Sequence, residues 1–542
     1  MPRSSAFCSW RRLVQTAELA ERRGLTSQAA VDEARVMQQA SQAAVSRRRF
    51  LKAAGALGAG AWGAGGLGKT RLAQGAPRRI RGLSVGIVGG GLAGLLAARE
   101  LSRAGATVTV YEASDRLGGR VQSLRNTFPG QVAELGGELI DTLNTTLLGL
   151  AREFDLELED VNKVEGEVFY HFFGQRFSEA AVVDELRQFV PTMKADVRAL
   201  SNEVSALGFT PEDRRQDLIS LEEYLDGSNS RGTRATPLLR EVIRAAYTIE
   251  YGGEPAEQSS LNFLHFIHPD NRSNFTPWGV FSDERYHIVG GNDQVATRLG
   301  AQLAGRVELG RRLCRVARRP DGRVELTLGP GATVTRAHDR VILAIPFTTL
   351  RDVELDASLG LPAWKLDVID RFSLGVNTKQ MVGFQGRPWA DVGGTGASYA
   401  DLFKLSCTWE TNVSRSTAQR AILTNFSGGL QALLFDPSQP QQEAEAVLNS
   451  LDQVFPGAKA RAAVDGGGYR TVVANWSLNP LARGGYTCYR PGQFTSLAGL
   501  EGLPIQNLHF AGEHTDSFYS WQGFMEGACL SGLRAAQEIA RS

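Results

Sequence analysis

Cysteine is scarce in this 542-residue chain: Cys8, Cys314, Cys407, Cys488 and Cys529 are all there are, and no two stand in C-x-x-C spacing. Neither a thiolate zinc site nor a disulfide framework is indicated. Histidine is as sparse, at seven residues, and only His265 and His268 fall at helical i, i+3 spacing. With no carboxylate or thiol motif beside them they read as packing or surface residues, so no metal is expected. Neither sign of charge dominates: 59 Lys and Arg face 58 Asp and Glu, for a net charge of +1. Basic clusters are absent past the N-terminal region, which argues against nucleic acid as a partner. The one extended small-residue apolar stretch, Ala53–Gly68, is too short and too Gly-rich for a stable membrane span. No internal repeat is present, and the length allows two or three domains with substantial cores.

What the chain does have is concentrated first in Val85–Arg120, VGIVGGGLAGLLAARELSRAGATVTVYEASDRLGGR. The apolar run Val85–Val88 reads as a buried strand. Gly89, Gly91 and Gly94 then supply G-x-G-x-x-G where that strand turns into a helix, Leu92–Ala104. The first glycine permits the tight turn, the second lets a pyrophosphate approach the positive helix N-terminus, and the third lets the helix pack on the sheet. A second strand, Thr107–Tyr111, ends at Glu112, where a carboxylate can accept hydrogen bonds from ribose hydroxyls.

The continuation Asp115-Arg116-Leu117-Gly118-Gly119-Arg120, followed by Glu134-Leu135-Gly136-Gly137, resembles the flavin amine oxidase family. That family includes monoamine, polyamine and L-amino-acid oxidases. The resemblance implies that the segments holding Arg116, Gly119 and Arg120, and Gly136 and Gly137, line FAD; Leu313 joins this cofactor set. It returns in Phe510-Ala511-Gly512-Glu513-His514-Thr515 and in Trp521-Gln522-Gly523-Phe524-Met525-Glu526-Gly527-Ala528. Gly512, Glu513, Gly523 and Met525 are thereby expected to close the flavin site, with a helix starting near Met525 aimed at the isoalloxazine ring. A helix N-terminus there favours negative charge.

Lys379, at the head of the strand-like Lys379–Phe384, is placed by periodicity alone facing a cavity or solvent. The resemblance makes it catalytic, as the lysine that holds a water against the flavin N5 atom. Tyr486 and Phe524 fall where the family has the two walls of an aromatic cage, with Trp521 nearby. Where related enzymes carry a flavin-linked cysteine immediately before a tyrosine, this chain has Gly485, and Cys488 is displaced by three residues. The flavin is therefore expected to be non-covalent. L-amino-acid oxidases place an arginine after the LG dipeptide to clamp the substrate carboxylate; here Leu139 stands there, and Glu138 beside it is open to two roles, attraction of a cationic substrate or a supporting hydrogen bond.

At the other end of the chain, Ser46-Arg47-Arg48-Arg49-Phe50-Leu51-Lys52 followed by Ala53–Gly68 matches a twin-arginine export leader. Cleavage is expected near Ala73–Ala76, with Met37 as an alternative start. The expected organisation is leader and linker over 1–76, FAD-binding pieces over 77–150, 286–351 and 471–542, and substrate-domain pieces over 151–285, largely helical, and 352–470, a sheet carrying Lys379. The fold class is α/β: a two-domain flavoprotein whose Rossmann-like FAD-binding domain is interleaved with a substrate domain of mixed sheet and helices. The expected function is oxidative deamination of an amine by FAD, with oxygen reduced to hydrogen peroxide, in an exported, periplasmic or extracellular enzyme. Partners are a small-molecule amine, oxygen and, during export, the twin-arginine translocase; a homodimer is compatible with the chain. An L-amino-acid oxidase is the alternative, ahead of a carotenoid desaturase, a protoporphyrinogen oxidase or a non-catalytic flavin-binding protein.

Overall fold

A computed structural model describes residues 80–542 apart from 162–163, 268–282, 332, 418 and 517–520, together with part of 13–32. The export motif 46–52, the stretch 53–68, the cleavage region 73–76, His268 and residues 278–282 of the loop before Tyr286 lie outside the described residues.

A five-stranded parallel sheet forms first. Strand β1 (Ser84–Val88) leads through helix α1 (Leu92–Arg103) into β2 (Thr107–Tyr111), and β1 and β2 pair in parallel from Ser84 with Thr107 to Val88 with Tyr111. Arg340–Leu343 and Leu508–Phe510 extend the sheet on one side and Val307–Glu308 on the other. Strands covered on both faces need apolar side chains throughout, which is why these segments read as continuous hydrophobic runs. A four-stranded sheet, Leu313–Arg318, Val324–Leu328, Val334–His338 and Glu354–Leu355, stands beside it.

The second domain begins on the helical side with α2 (Glu179–Ala199) and continues to β3 (Asn377–Phe384) and β4 (Leu405–Glu410) in a seven-stranded sheet. The C-terminal helix α3 (Met525–Arg541) then returns to the first domain and crosses α1 so closely that a Cβ on Gly532 would stand 2.3 Å from the Ala93 carbonyl oxygen.

Three expectations are corrected. Residues 151–285 are not simply helical: Glu167–Phe172 and Gln175–Phe177 form one edge of the seven-stranded sheet, joined by a two-residue turn, Phe173-Gly174, with both φ positive. The helical periodicity of Ala181–Leu207 predicts a helix throughout, but the helix ends at Ala199, with Pro191 inside it. Glu354–Leu355 pairs in parallel with Leu313–Arg318, and Thr471–Asn475 is an edge strand beside β3. The boundaries at 351 and 470 therefore shift to beyond Leu355 and beyond Asn475. The described residues of 13–32 include helical positions that pack with the substrate domain.

Candidate active site

The two domains enclose a cavity of about 470 Å³ that runs from the glycine turn after β1 to the face of β3 and β4. Its nucleotide end is made of backbone. Gly89 has φ +109, and a Cβ there would lie 2.5 Å from the Ala344 carbonyl oxygen. Gly94 faces away from the cavity and meets the same turn, since its Cβ would come within 2.0 Å of the Gly89 oxygen. Gly91 differs: an added Cβ would meet no protein atom nearer than the Gly118 oxygen, at 4.0 Å, so the space is left for something else. Gly91 is also the N-cap of α1 and offers no capping side chain. First-turn N–H groups lack partners within a helix, so an uncapped helix head opening on a cavity fits the pyrophosphate of a dinucleotide.

Glu112 lines this end, and its carboxylate also fixes the turn. One oxygen accepts the Gly90 N–H at 2.6 Å and the other accepts the Ser114 N–H and hydroxyl, each at 2.8 Å. A carboxylate retains lone pairs beyond these for ribose hydroxyls. Arg116 donates to the carbonyls of Leu117, Gly119 and Val121, which ties down the turn holding Gly118 and Gly119, both at positive φ. Burial lowers its pKa. Gly119, Arg120, Gly136, Gly137, Leu313, Gly512, Glu513, Gly523 and Met525 all line the same cavity.

The two distant signatures meet in an ion pair. Arg120 Nη1 donates to Glu513 at 2.7 Å and to the Gly485 carbonyl at 2.8 Å, while the Thr487 hydroxyl donates to the other Glu513 oxygen at 2.9 Å. Glu513 thus acts as the joint between the segments around Arg120 and Tyr486. Nearby, α3 starts at Met525 with Phe524 as its N-cap and no capping side chain. The positive end of its dipole therefore opens on the cavity.

At the substrate end Lys379 is inside the molecule, not at its surface: every residue of β3 is buried, and Lys379 is 7 % exposed. Its ammonium donates to the Glu134 carbonyl at 3.1 Å, the Gly136 carbonyl at 2.9 Å and the Glu138 carboxylate at 2.6 Å. An ammonium has three N–H donors, and all three are engaged. A water held by Lys379 must therefore share a donor with one of these acceptors. Trp409 Nε1 holds the other Glu138 oxygen at 3.0 Å, and the Trp409 ring lies 5.7 Å from Nζ. Of the two roles open to Glu138, the geometry selects the supporting one.

Tyr486 and Phe524 both line the cavity, and the Tyr486 hydroxyl donates to the Ile249 carbonyl at 2.8 Å. Trp521 does not line it; its ring packs edge to face on Phe524 at 5.3 Å. Trp521 supports that wall from behind. Cys488 is buried and off the cavity, whereas Gly485 is on it. His265 packs on the Phe494 ring, and no metal-binding cluster occurs among the described residues. Sequence reasoning missed Trp409, Phe426, Asn377 and Glu284, which complete the substrate end. Trp409 and Phe426 lie on fully buried strands, where nothing local separates a lining residue from a core residue.

The family description "flavin containing amine oxidoreductase" matches residues 92–540. The chain belongs to that family. It is therefore an oxidoreductase acting on CH–NH2 groups with a flavin cofactor. Over 473 residues it is 27% identical to AofH of Mycobacterium tuberculosis, named as a candidate flavin-containing monoamine oxidase, with 84% of this chain and 96% of that protein covered. An L-amino-acid oxidase of Siganus canaliculatus is 25% identical over 473 residues, 84% of either chain. In fold it is similar to cyclohexylamine oxidase of Brevibacterium oxydans, with a TM-score of 0.71 at 22% identity over 85% of this chain and 99% of that one.

Proposed function

We propose that the protein binds FAD non-covalently and oxidises amines that lack an α-carboxylate, passing the electrons to oxygen with release of hydrogen peroxide. One observation carries the substrate class: the lining of the cavity's substrate end. Leu139 occupies the position of a carboxylate clamp, and the arginines lining the cavity are engaged elsewhere. Arg120 pairs with Glu513, Arg116 with backbone carbonyls, Arg311 with Glu308 and Arg312 with Asp352. A substrate carboxylate buried there without a partner costs several kcal/mol, on the order of a thousandfold in affinity.

Bound FAD supplies the two-electron oxidation. Gly91 and the head of α1 would hold its pyrophosphate, Glu112 its ribose, and the head of α3 its ring. The side chains do the rest. Tyr486 and Phe524 confine the amine and, with Trp409 and Phe426, exclude water, so that the amine nitrogen reacts neutral in a site of low polarity. Lys379 is held in place at this end by its pairing with Glu138. The imine product hydrolyses in water to carbonyl compound and ammonia.

Non-covalent binding is supported by the absence of cysteine from the described residues lining the cavity. Acid precipitation is expected to leave flavin in the supernatant; flavin in the pellet overturns this. Peroxide release across matched pairs of monoamines and L-amino acids tests the substrate class, and higher kcat/KM for the amino acids replaces it with the L-amino-acid oxidase reading. Export rests on Ser46–Lys52 and the small-residue stretch Ala53–Gly68 that follows it. Replacing Arg47 and Arg48 by Lys is expected to keep the enzyme in the cytoplasm, and unchanged export rules the pathway out.

A further inference from the structure

Upstream of the export motif the described residues include helical positions on either side of a turn. Positions 13, 16, 17, 20, 21 and 23 are helical, as are 27–32. Between them Gly24 takes φ +62, and the Leu25 N–H donates to the Ala20 carbonyl at 3.0 Å. This six-to-one bond closing on a left-handed glycine is a Schellman stop. Thr26 starts the next helix, its hydroxyl accepting the Ala29 N–H at 3.3 Å three residues on. The stop and start signals are thus written in Arg23-Gly24-Leu25-Thr26 itself.

Described residues on one side of each helical stretch are buried, while Glu21, Arg23, Gln28 and Asp32 are exposed. Leu13, Thr16, Ala17 and Ala20 recur at helical spacing on the first, and Ser27, Ala30 and Val31 on the second, all at most 4 % exposed. Leu13, Ala17 and Val31 belong to the same apolar cluster as Val183, Leu186 and Val190 of α2. Polar contacts fix the register along that helix: Ser27 donates to Asp184, Arg187 donates to Ser27 at 3.2 Å, and Lys194 faces Glu21 at 3.9 Å. Asp184, Arg187 and Lys194 share one side of α2.

We infer that residues 13–32 are a docking element for the substrate domain, held by α2 independently of the chain that connects it to β1. Resting on the export reading, the consequence is that a cut near 73–76 leaves the exported enzyme carrying this element as a second, non-covalently bound polypeptide. A start at Met37 would delete it and leave its apolar seat on α2 open. A leader that only addressed the translocase would need neither the turn signals nor the buried face.

The test uses the full chain loaded with flavin, with a site-specific protease sequence inserted between residues 60 and 61. After cleavage the N-terminal fragment is expected to co-elute with the body on size exclusion. Elution of the fragment alone overturns the proposal. Val31→Asp is expected to release the fragment and to lower the unfolding temperature of the uncut chain by about 5 °C. Should Val31→Asp fail to fold, Gly24→Val serves instead: it strains the left-handed turn with no protein atom within 4 Å of its Cβ, and is expected to release the fragment as well. The exposed Gln28→Ala is expected to change nothing. Retention of the fragment in Val31→Asp or Gly24→Val overturns the assigned contact. Failure of the Arg47 and Arg48 variants to block export would remove the second polypeptide while leaving the docking intact, so the two readings fail separately.

Discussion

The two ends of the cavity are built from different materials. At the nucleotide end the contacts belong to backbone: the glycine turn after β1, the uncapped head of α1 and the turn of Gly118 and Gly119. At the substrate end they belong to side chains from elements far apart in sequence, with Glu138 beside a short strand, Lys379 on β3 and Trp409 on β4. A backbone site needs residues that are absent or small at fixed spacing, so it leaves a local signature. A side-chain site needs tertiary juxtaposition and leaves none.

The largest effect expected from this difference is at Gly91. Its φ of −78° and ψ of 179° suit valine, and an added Cβ meets no protein atom nearer than 4.0 Å, so Gly91→Val leaves the fold intact and fills the place of the ligand. Flavin retention is expected to fall at least about 100-fold, roughly 2.8 kcal/mol, with the unfolding temperature of the flavin-free protein unchanged. Gly94→Val is the contrasting case, because its Cβ would strike the Gly89 oxygen and α1 would have to move. Soluble Gly91→Val protein that remains yellow would remove the pyrophosphate assignment.

What was legible follows the same line. The strand, turn and helix from Ser84 to Arg103 are encoded locally, in an apolar run, three glycines and the absence of β-branched residues from the helix, and they fold as the sequence implies. That the segments of Arg120 and Glu513 converge on one cofactor site followed only from resemblance, and their pairing across 393 positions was not foreseen, since no local rule links the two. Lys379 was read from the alternation of Lys379–Phe384 as heading a strand and facing a cavity or solvent; the strand begins two residues earlier, and the cavity is where Lys379 lies. It is buried because Glu138 and two carbonyls meet all its donors, and that compensation is invisible until the chain is folded. The hairpin at Phe173-Gly174 was missed because that pair is not among the Asn-Gly, Asp-Gly or Gly-Gly signals that announce a two-residue turn.

On flavin retention a smaller effect is expected at the ion pair, whose loss is read on stability and sharpens what a side-chain site demands. Lys379→Met leaves the Glu138 carboxylate, itself 6 % exposed, without its cation. Breaking such a pair from one side costs about 3–5 kcal/mol, whereas replacing both partners is close to neutral. Chemical denaturation of flavin-loaded protein is therefore expected to show a large loss for Lys379→Met and recovery of most of it in Lys379→Met with Glu138→Gln. Stopped-flow kinetics separate this structural role from chemistry: the double variant, restored in stability, is still expected to be slow in reoxidation by oxygen. Additive losses of stability in the double variant would show that Glu138 does not act through Lys379.

The smallest effect lies between the two ends, at Glu134, whose carbonyl serves Lys379 while its carboxyl points to a separate polar cluster. Burial pushes this carboxyl up to about 8, against the hydrogen bonds from the Asn292 N–H and the Ser123 hydroxyl; Glu138 raises it further and His287 lowers it. The His287 ring in turn faces Glu159, at 2.5 Å. In the unfolded chain Glu134 loses its proton near the ordinary carboxylate value of about 4.3, whereas the folded protein keeps it up to about 8. Between those values the folded state binds more protons than the unfolded state, so this group makes stability fall as pH rises, and its contribution levels off above about 8. Gln in place of Glu134 can still accept the Asn292 and Ser123 hydrogen bonds but has no proton to lose. Glu134→Gln is expected to flatten the decline of unfolding temperature between about pH 5 and 8 while leaving the acid side unchanged. A parallel decline in wild type and variant would assign the pH dependence to other buried groups, of which Asp516, pushed up to about 7 by burial, is the first to replace.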